Sequence, residues 1–164
     1  MYNILERLNV RLIIYGMSVL VVGVLLYLTD RPPEHTYFVY RTLTGLSLYK
    51  VFPNIFGTIG YSLPSFLHVF SFILLTAAFI SCGKKAYLII SLSWFFISSA
   101  FELGQKFNKS MSMMVPDYFK EILFLENTKN YFIRGTFDYL DMFAIGVGTV
   151  AAYFVLSVFM RSKQ

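Results

Sequence analysis

The sequence predicts an all-α protein, a polytopic transmembrane bundle of four helices with interfacial or re-entrant outer segments. Three observations carry that prediction. The 164 residues are 57% hydrophobic and 19% aromatic but only 14% charged, where a soluble domain carries about 25% charged residues. The uncharged runs come in bilayer lengths: 18 residues between Arg11 and Asp30, 33 from Val51 to Gly83, 16 between Lys85 and Glu102, and 19 between Asp141 and Arg161. A helix of about 20 residues, rising about 1.5 Å per residue, crosses roughly 30 Å of hydrocarbon. Charge, finally, collects at the ends of these runs.

Taken in order, residues 1–10 form a short amphipathic lead-in, with Ile4, Leu5 and Leu8 placed to lie on an interface. The first helix is expected over about 11–29. Its apolar stretch exceeds a signal-peptide core, and the following DRPPEH offers no small-residue cleavage site, so it reads as a signal anchor. Pro32 and Pro33 then end helical structure. The stretch 36–64 is aromatic, sparsely charged and broken by Gly45, Pro53, Gly57 and Gly60. It reads either as an interfacial or re-entrant segment or as a hydrophobic loop covering neighbouring helices. The second helix is expected over 64–83, opening at Pro64 with Ser62 or Ser65 as its cap. CGKK closes it, and a tight hairpin leads to a third helix over 86–105. There Ser91, Ser93, Ser98, Ser99 and Ala100 would permit close helix packing. In the outer segment 106–138, KFNKSMSMMVP reads as flexible and DYFKEILFLENTK as a short surface helix. The fourth helix is expected over 139–160, with Asp138 and Asp141 at its dipole-favoured start and Gly146 and Gly148 on a packing face. The whole chain, 1–164, forms a single transmembrane domain.

Charge orients the bundle. With the N-terminus cytoplasmic, the inner side holds Arg7, Arg11, Lys84, Lys85, Arg161 and Lys163 against Glu6, a net of +5, while eight basic and eight acidic residues balance on the outer side. This fits the positive-inside rule through the short flanking segments, although the long outer loops hold more Lys and Arg in total. Both termini are then cytoplasmic. His68 lies 16 residues from Lys84, Glu102 lies 16 from Ala86, and Asp141 lies 20 from Arg161. These steps correspond to roughly 24, 24 and 30 Å of rise, so all three reach the outer edge of the hydrocarbon. Gln105 shares a helical face with Glu102, as Asp138 does with Asp141, and Arg134 stands just outside.

An ionisable group in a membrane segment is a functional hypothesis by default. The outward cup assigns catalytic roles to His68, Glu102 and Asp141 and substrate-binding roles to Gln105, Arg134 and Asp138. A His beside carboxylates suits general acid–base work. Two acids and a His would also suit a divalent cation, without any ligand spacing that specifies one, and no cofactor is assigned. Arg134 would grip a phosphate or carboxylate. The structural alternative pairs Glu102 with Arg134 and leaves the cup a network that joins helix ends. The single Cys82 excludes an internal disulfide. No serine elbow, phosphate-cradling glycine loop or phosphatase pattern occurs, which argues against an acyl-enzyme. Four spans with one cup argue against a transporter.

At Glu102-Leu-Gly-Gln105, and again from Arg134 through Asp138 and Asp141 to Gly148, the sequence resembles the VanZ-like membrane proteins. His68 in 67-LHVF-70 fits that pattern more loosely. In the family an Arg stands six residues before the Asp and an Asn four residues after it; here those positions hold Gly135 and Ile145. The resemblance covers residues 61–155. It implies a cell-envelope protein of the bacterial inner membrane, linked to glycopeptide (teicoplanin) resistance and without a firmly established reaction. Two functions follow as expectations. One is a protein that binds, or also modifies, an amphiphilic glycolipid or cell-wall precursor. The other is a non-catalytic accessory subunit docked on a larger membrane complex. Membrane lipids, a lipid-linked precursor or a membrane protein are the expected partners, and nucleic acid is not. A reporter fused after Gln164 should be found in the cytoplasm; a periplasmic signal would invert the depth assignment.

Overall fold

The computed structural model describes residues 9–30, 47–49, 51–52, 56–57, 59–80, 83–122, 125–126 and 128–161, the side chains of Arg134 and Arg161 excepted. The lead-in at 1–8, Pro32 and Pro33, Cys82 and most of the aromatic segment 36–58 lie outside these residues. The elements are α1 (Val10–Asp30), α2 (Ile59–Phe79), α3 (Lys84–Lys106), α4 (Asn108–Met114), a 3-10 turn (Asp117–Glu121), α5 (Thr128–Arg134) and α6 (Tyr139–Arg161). No strand occurs among the described residues. The fold is all-α, and α1, α2, α3 and α6 are each long and apolar enough to cross a membrane.

α2 is the central helix. It packs against α1, α3 and α6, while α3 also leans on α6. Accordingly 44% of its apolar window is buried, against 22–28% for the other three. Leu12, Val69, Ile73, Leu74, Ala152 and Leu156 make the sealed centre. Large side chains such as Ile14, Val21, Ile89, Phe96, Val150 and Phe154 face outward, as lipid-facing residues do in a helix that is apolar all round. Three buried hydroxyls are satisfied within their own helices: Ser71, Ser91 and Thr149 donate to the carbonyls of Leu67, Tyr87 and Ile145. With no water in hydrocarbon to take their place, these bonds let a polar side chain sit inside a span.

α1 is pinned to α2 at one end and to the segment that precedes α2 at the other. At one, the Asn9 N–H donates to the Ala78 carbonyl at 3.0 Å, and Asn9 Oδ1 accepts weakly from the Leu12 N–H at 3.4 Å. At the other, buried Asp30 accepts the Phe56 N–H at 2.8 Å, and the Leu48 N–H reaches the Leu28 carbonyl at 2.9 Å. Gly60 permits this second joint, because a Cβ there would lie 2.9 Å from Asp30 Oδ2.

Several local expectations are corrected. α2 starts at Ile59, so Pro64, Ser62 and Ser65 lie inside it. Pro64 occupies the sixth position of α2, past the four leading amides that lack partners, so it costs the helix the one bond an amide there would make to the Gly60 carbonyl. α2 also ends at Phe79, four residues before Gly83. The segment taken as flexible forms α4, held by packing against α5 rather than by propensity. The expected surface helix shrinks to the turn Asp117–Glu121, clipped by the Lys120–Asp117 ion pair at 2.7 Å. It stops where Ile122 becomes extended. The proposed small-residue face of α3 is not a packing face throughout: Ser91 is buried, whereas Ser93 and Ala100 are exposed.

Close packing falls instead on single glycines. A Cβ on Gly148 would stand 2.6 Å from Val69 Cγ1 and 2.8 Å from the Phe66 carbonyl oxygen, whereas one on Gly146 would meet nothing within 4 Å. Overpacking costs about 1–3 kcal/mol. Gly148→Val is therefore expected to lower the unfolding midpoint in detergent clearly, with Gly146→Ala close to wild type. Equal effects of the two would contradict this α2–α6 contact.

Candidate functional site

An acid in the last turn of a membrane helix requires donors. Glu102, only 5% exposed, finds two, from different elements. Its Oε1 accepts the Asp138 backbone N–H at 3.0 Å, and its Oε2 accepts from Gln105 Nε2 at 3.1 Å. The first bond ties the end of α3 to the start of α6, where a negative charge also complements the helix dipole. Gln105 Nε2 donates its second hydrogen to the Tyr131 hydroxyl at 2.6 Å, which ties in α5. Asp138 Oδ1 accepts the Leu140 N–H at 2.9 Å, the bond of an N-cap.

Two glycines provide clearance for this network. A Cβ on Gly104 would stand 2.7 Å from the Phe132 ring, and one on Gly135 would stand 2.5 Å from Gln105 Oε1. Phe132 is buried and stacks on Phe101 at 5.9 Å. α5 is thus seated on the last two turns of α3 by an aromatic plug and a hydrogen-bond chain.

Beside the network lies a cleft of about 280 Å³, lined by Ser65, His68, Phe72, Trp94, Ile97, Ser98, Phe101, Glu102, Tyr131 and Ile145. It opens between α2 and α3, under α5, with α6 behind. One wall is an aromatic series. Tyr27 stacks on His68 at 6.1 Å, His68 on Phe72 at 6.0 Å, and Phe72 on Trp94 at 4.9 Å. Trp94 Nε1 donates to Thr76 Oγ1 at 2.9 Å, which fixes the indole and joins α3 to α2. Trp94 and Ile97 lie deep along α3, and Glu102 lies eight residues beyond Trp94, about 12 Å of rise. The cleft therefore grades from an apolar floor to a polar mouth.

Each residue singled out from the sequence now has a place. His68 and Glu102 line one cleft. Gln105 and the Asp138 amide hold Glu102, with the Asp138 carboxylate occupied as a cap. Asp141 is half-buried in the first turn of α6, close enough for its charge to act on Glu102. Arg134 closes α5, and its side chain lies outside the described residues. Among the described residues no group of three His, Cys, Asp or Glu side chains is placed to hold a metal ion.

No protein-family model, curated protein or solved structure matches the chain. The site therefore rests on its own geometry.

Sequence reasoning missed Tyr131, Trp94 and Asp30. Only Asp30 carried a signal, as an acid closing an apolar run. Tyr131 and Trp94 belong to the site through contacts made by separate helices.

The Tyr131 ring is exposed along one side, and its hydroxyl meets Gln105. Burial first, and the Glu102 carboxylate second, push the phenol from its ordinary 10.0 up to about 12. A raised acid pKa favours the folded form while the proton stays on. Its contribution is complete below about pH 10 and is lost as pH rises through about 12. The seating of α5, followed by proteolysis between α4 and α6, is expected to loosen over that alkaline window. Tyr131→Phe should remove this component of the pH dependence; an unchanged profile would separate the phenol from the seating of α5.

Proposed function

We propose that the chain is a cell-envelope membrane protein of VanZ-like type that binds an amphiphile, a glycolipid or lipid-linked cell-wall precursor, in the cleft between α2 and α3. In this reading it resides in the bacterial inner membrane, with both termini cytoplasmic and the cleft mouth facing outward. The observation that carries the reading is the gradient of the cleft. Phe72, Trp94 and Ile97 offer an apolar floor, Ile145 adds an apolar wall higher up, and Ser65, His68, Ser98, Glu102 and Tyr131 converge toward the mouth. Ligand sites combine apolar walls with a few convergent polar groups. Ile97 and Phe101 line the cleft and are 44% and 47% exposed, so an opening beside them on spanning helix α3 would suit a ligand already in the bilayer.

The role favoured is binding rather than catalysis. Glu102 is held by two donors from two elements, which suits a fixed acceptor better than a mobile base. Gln105 acts as a positioning residue through Glu102 and Tyr131, and His68 and Glu102 touch the ligand. Native mass spectrometry of protein extracted from membranes tests this. Wild type should carry a discrete amphiphile, and both His68→Leu and Glu102→Gln should lower its occupancy about tenfold, a loss of about 1.4 kcal/mol. Retention of the same lipid by both folded variants would sink the reading. A stoichiometric protein partner in place of the lipid would support the accessory-subunit alternative.

A further inference from the structure

The cleft ends abruptly at Trp94. Along α3, Tyr87, Ile90, Trp94, Ile97 and Phe101 follow one another at helical spacing on one face. Ile90 and Tyr87, one and two turns before Trp94, are buried in the same core as Ala77 and Ala78. None of those four lines the cleft, whereas Trp94, Ile97 and Phe101 do. The seam between α2 and α3 is therefore shut as far as Ile90 and open from Trp94 onward. The indole marks that limit and is held there twice. Phe72 stacks on it from α2 at 4.9 Å, and its Nε1 donates to Thr76 Oγ1, one turn beyond Phe72, at 2.9 Å. An indole N–H among apolar walls is costly to leave without an acceptor, so the ring swings aside only by giving up that bond.

Glu102, at the mouth, stands eight residues beyond Trp94 along α3, about 12 Å of rise. An extended chain advances about 1.2 Å per bond, a third of the roughly 3.5 Å that three backbone bonds span, so about ten bonds cover that distance. The cleft volume of about 280 Å³ lies just under the roughly 300–1,000 Å³ of sites that enclose a drug-sized ligand, room for one chain and not for a pair. Resting on the reading that the cleft takes an amphiphile, we infer that Trp94, positioned by Thr76, is an end stop that selects a single chain of about ten carbons. Length is read by the wall that the chain meets, independently of the charge at the mouth. A shorter chain leaves a gap against Phe72 and Trp94 and loses dispersion contacts there. A longer one must fold back or displace the indole.

Calorimetric titration of the purified full-length protein in digitonin micelles tests this, since digitonin carries a rigid ring skeleton and no alkyl chain. The probes are hexyl, octyl, decyl, dodecyl and tetradecyl glucoside, whose uncharged head is constant while the chain varies. Heats from empty micelles are subtracted, and affinities are compared at equal mole fraction in the micelle. Wild type should bind decyl glucoside best and tetradecyl glucoside at least fivefold more weakly. Trp94→Leu should move the optimum to the longer chains. Thr76→Val, which keeps the volume but removes the acceptor, should bring tetradecyl to within about twofold of decyl glucoside while octyl glucoside binds as before. Thr76→Ser, which keeps an acceptor, should restore the wild-type optimum. A merely structural Thr76 would weaken all lengths alike, and that result overturns its positioning role. Equal binding of decyl and tetradecyl glucoside by wild type would mean that the chain leaves sideways past Ile97 and Phe101. That result, or an optimum unmoved in folded Trp94→Leu, overturns the end stop and spares the amphiphile reading. No saturable heat with any glucoside overturns both.

Discussion

The Glu102 carboxylate joins the end of one membrane-length helix to the beginning of another, and the polar end of the bundle hangs from that joint. The constraint is desolvation. An acid this deeply covered must be given donors, and the nearest come from the α6 leading amide and from Gln105 one turn away. Once Gln105 is committed to Glu102, its other hydrogen holds Tyr131 and fixes α5. Helix ends otherwise leave four amides without partners, so Glu102 satisfies α6 as much as α6 satisfies Glu102. Removing either side would leave a buried polar group alone, which typically costs about 1–3 kcal/mol.

The cleft follows from how the helices then divide their contacts. α2 gives one side to α1 and another to α6, with Gly148 admitting Val69 and the Phe66 backbone. α3 is drawn toward α6 by the Glu102 joint and toward α2 chiefly by the Trp94–Thr76 bond deeper in the bundle. Between those two attachments, α2 and α3 do not close on each other. The aromatic side chains that would have sealed a tighter seam line an opening instead.

The four spans were legible because bilayer thickness imposes one length and one composition on each. The boundaries of α3 and α6 followed from Lys84, Lys85, Asp138 and Asp141. α2 was less readable: Pro64 looked like a start because proline favours first turns, yet the preceding Ile59–Leu63 are apolar enough to extend the helix. α4 and α5 carry too little periodic pattern to be read locally, since each is stabilised by the other and by Gly104. At the site, Glu102, Gln105, Asp138 and Asp141 stood out as polar groups in apolar runs. Tyr131 and Trp94 did not, because an aromatic residue is unremarkable among 31 phenylalanines, tyrosines and tryptophans.

Gly135 shows how the parts constrain one another. Any side chain there would strike Gln105 Oε1 and the Tyr131 carbonyl, at 2.5 and 2.7 Å from a Cβ. Displacing Gln105 would release Tyr131, and α5 with it, from α3 and take one donor from Glu102. The glycine therefore acts on the cleft at second hand, through the residue that orients two of its walls. Ile145 acts directly: it is buried and lines the back of the cleft with an apolar side chain. An apolar lining and a fixed acidic acceptor are separate consequences of separate positions, and the amphiphile proposed above would have to meet both.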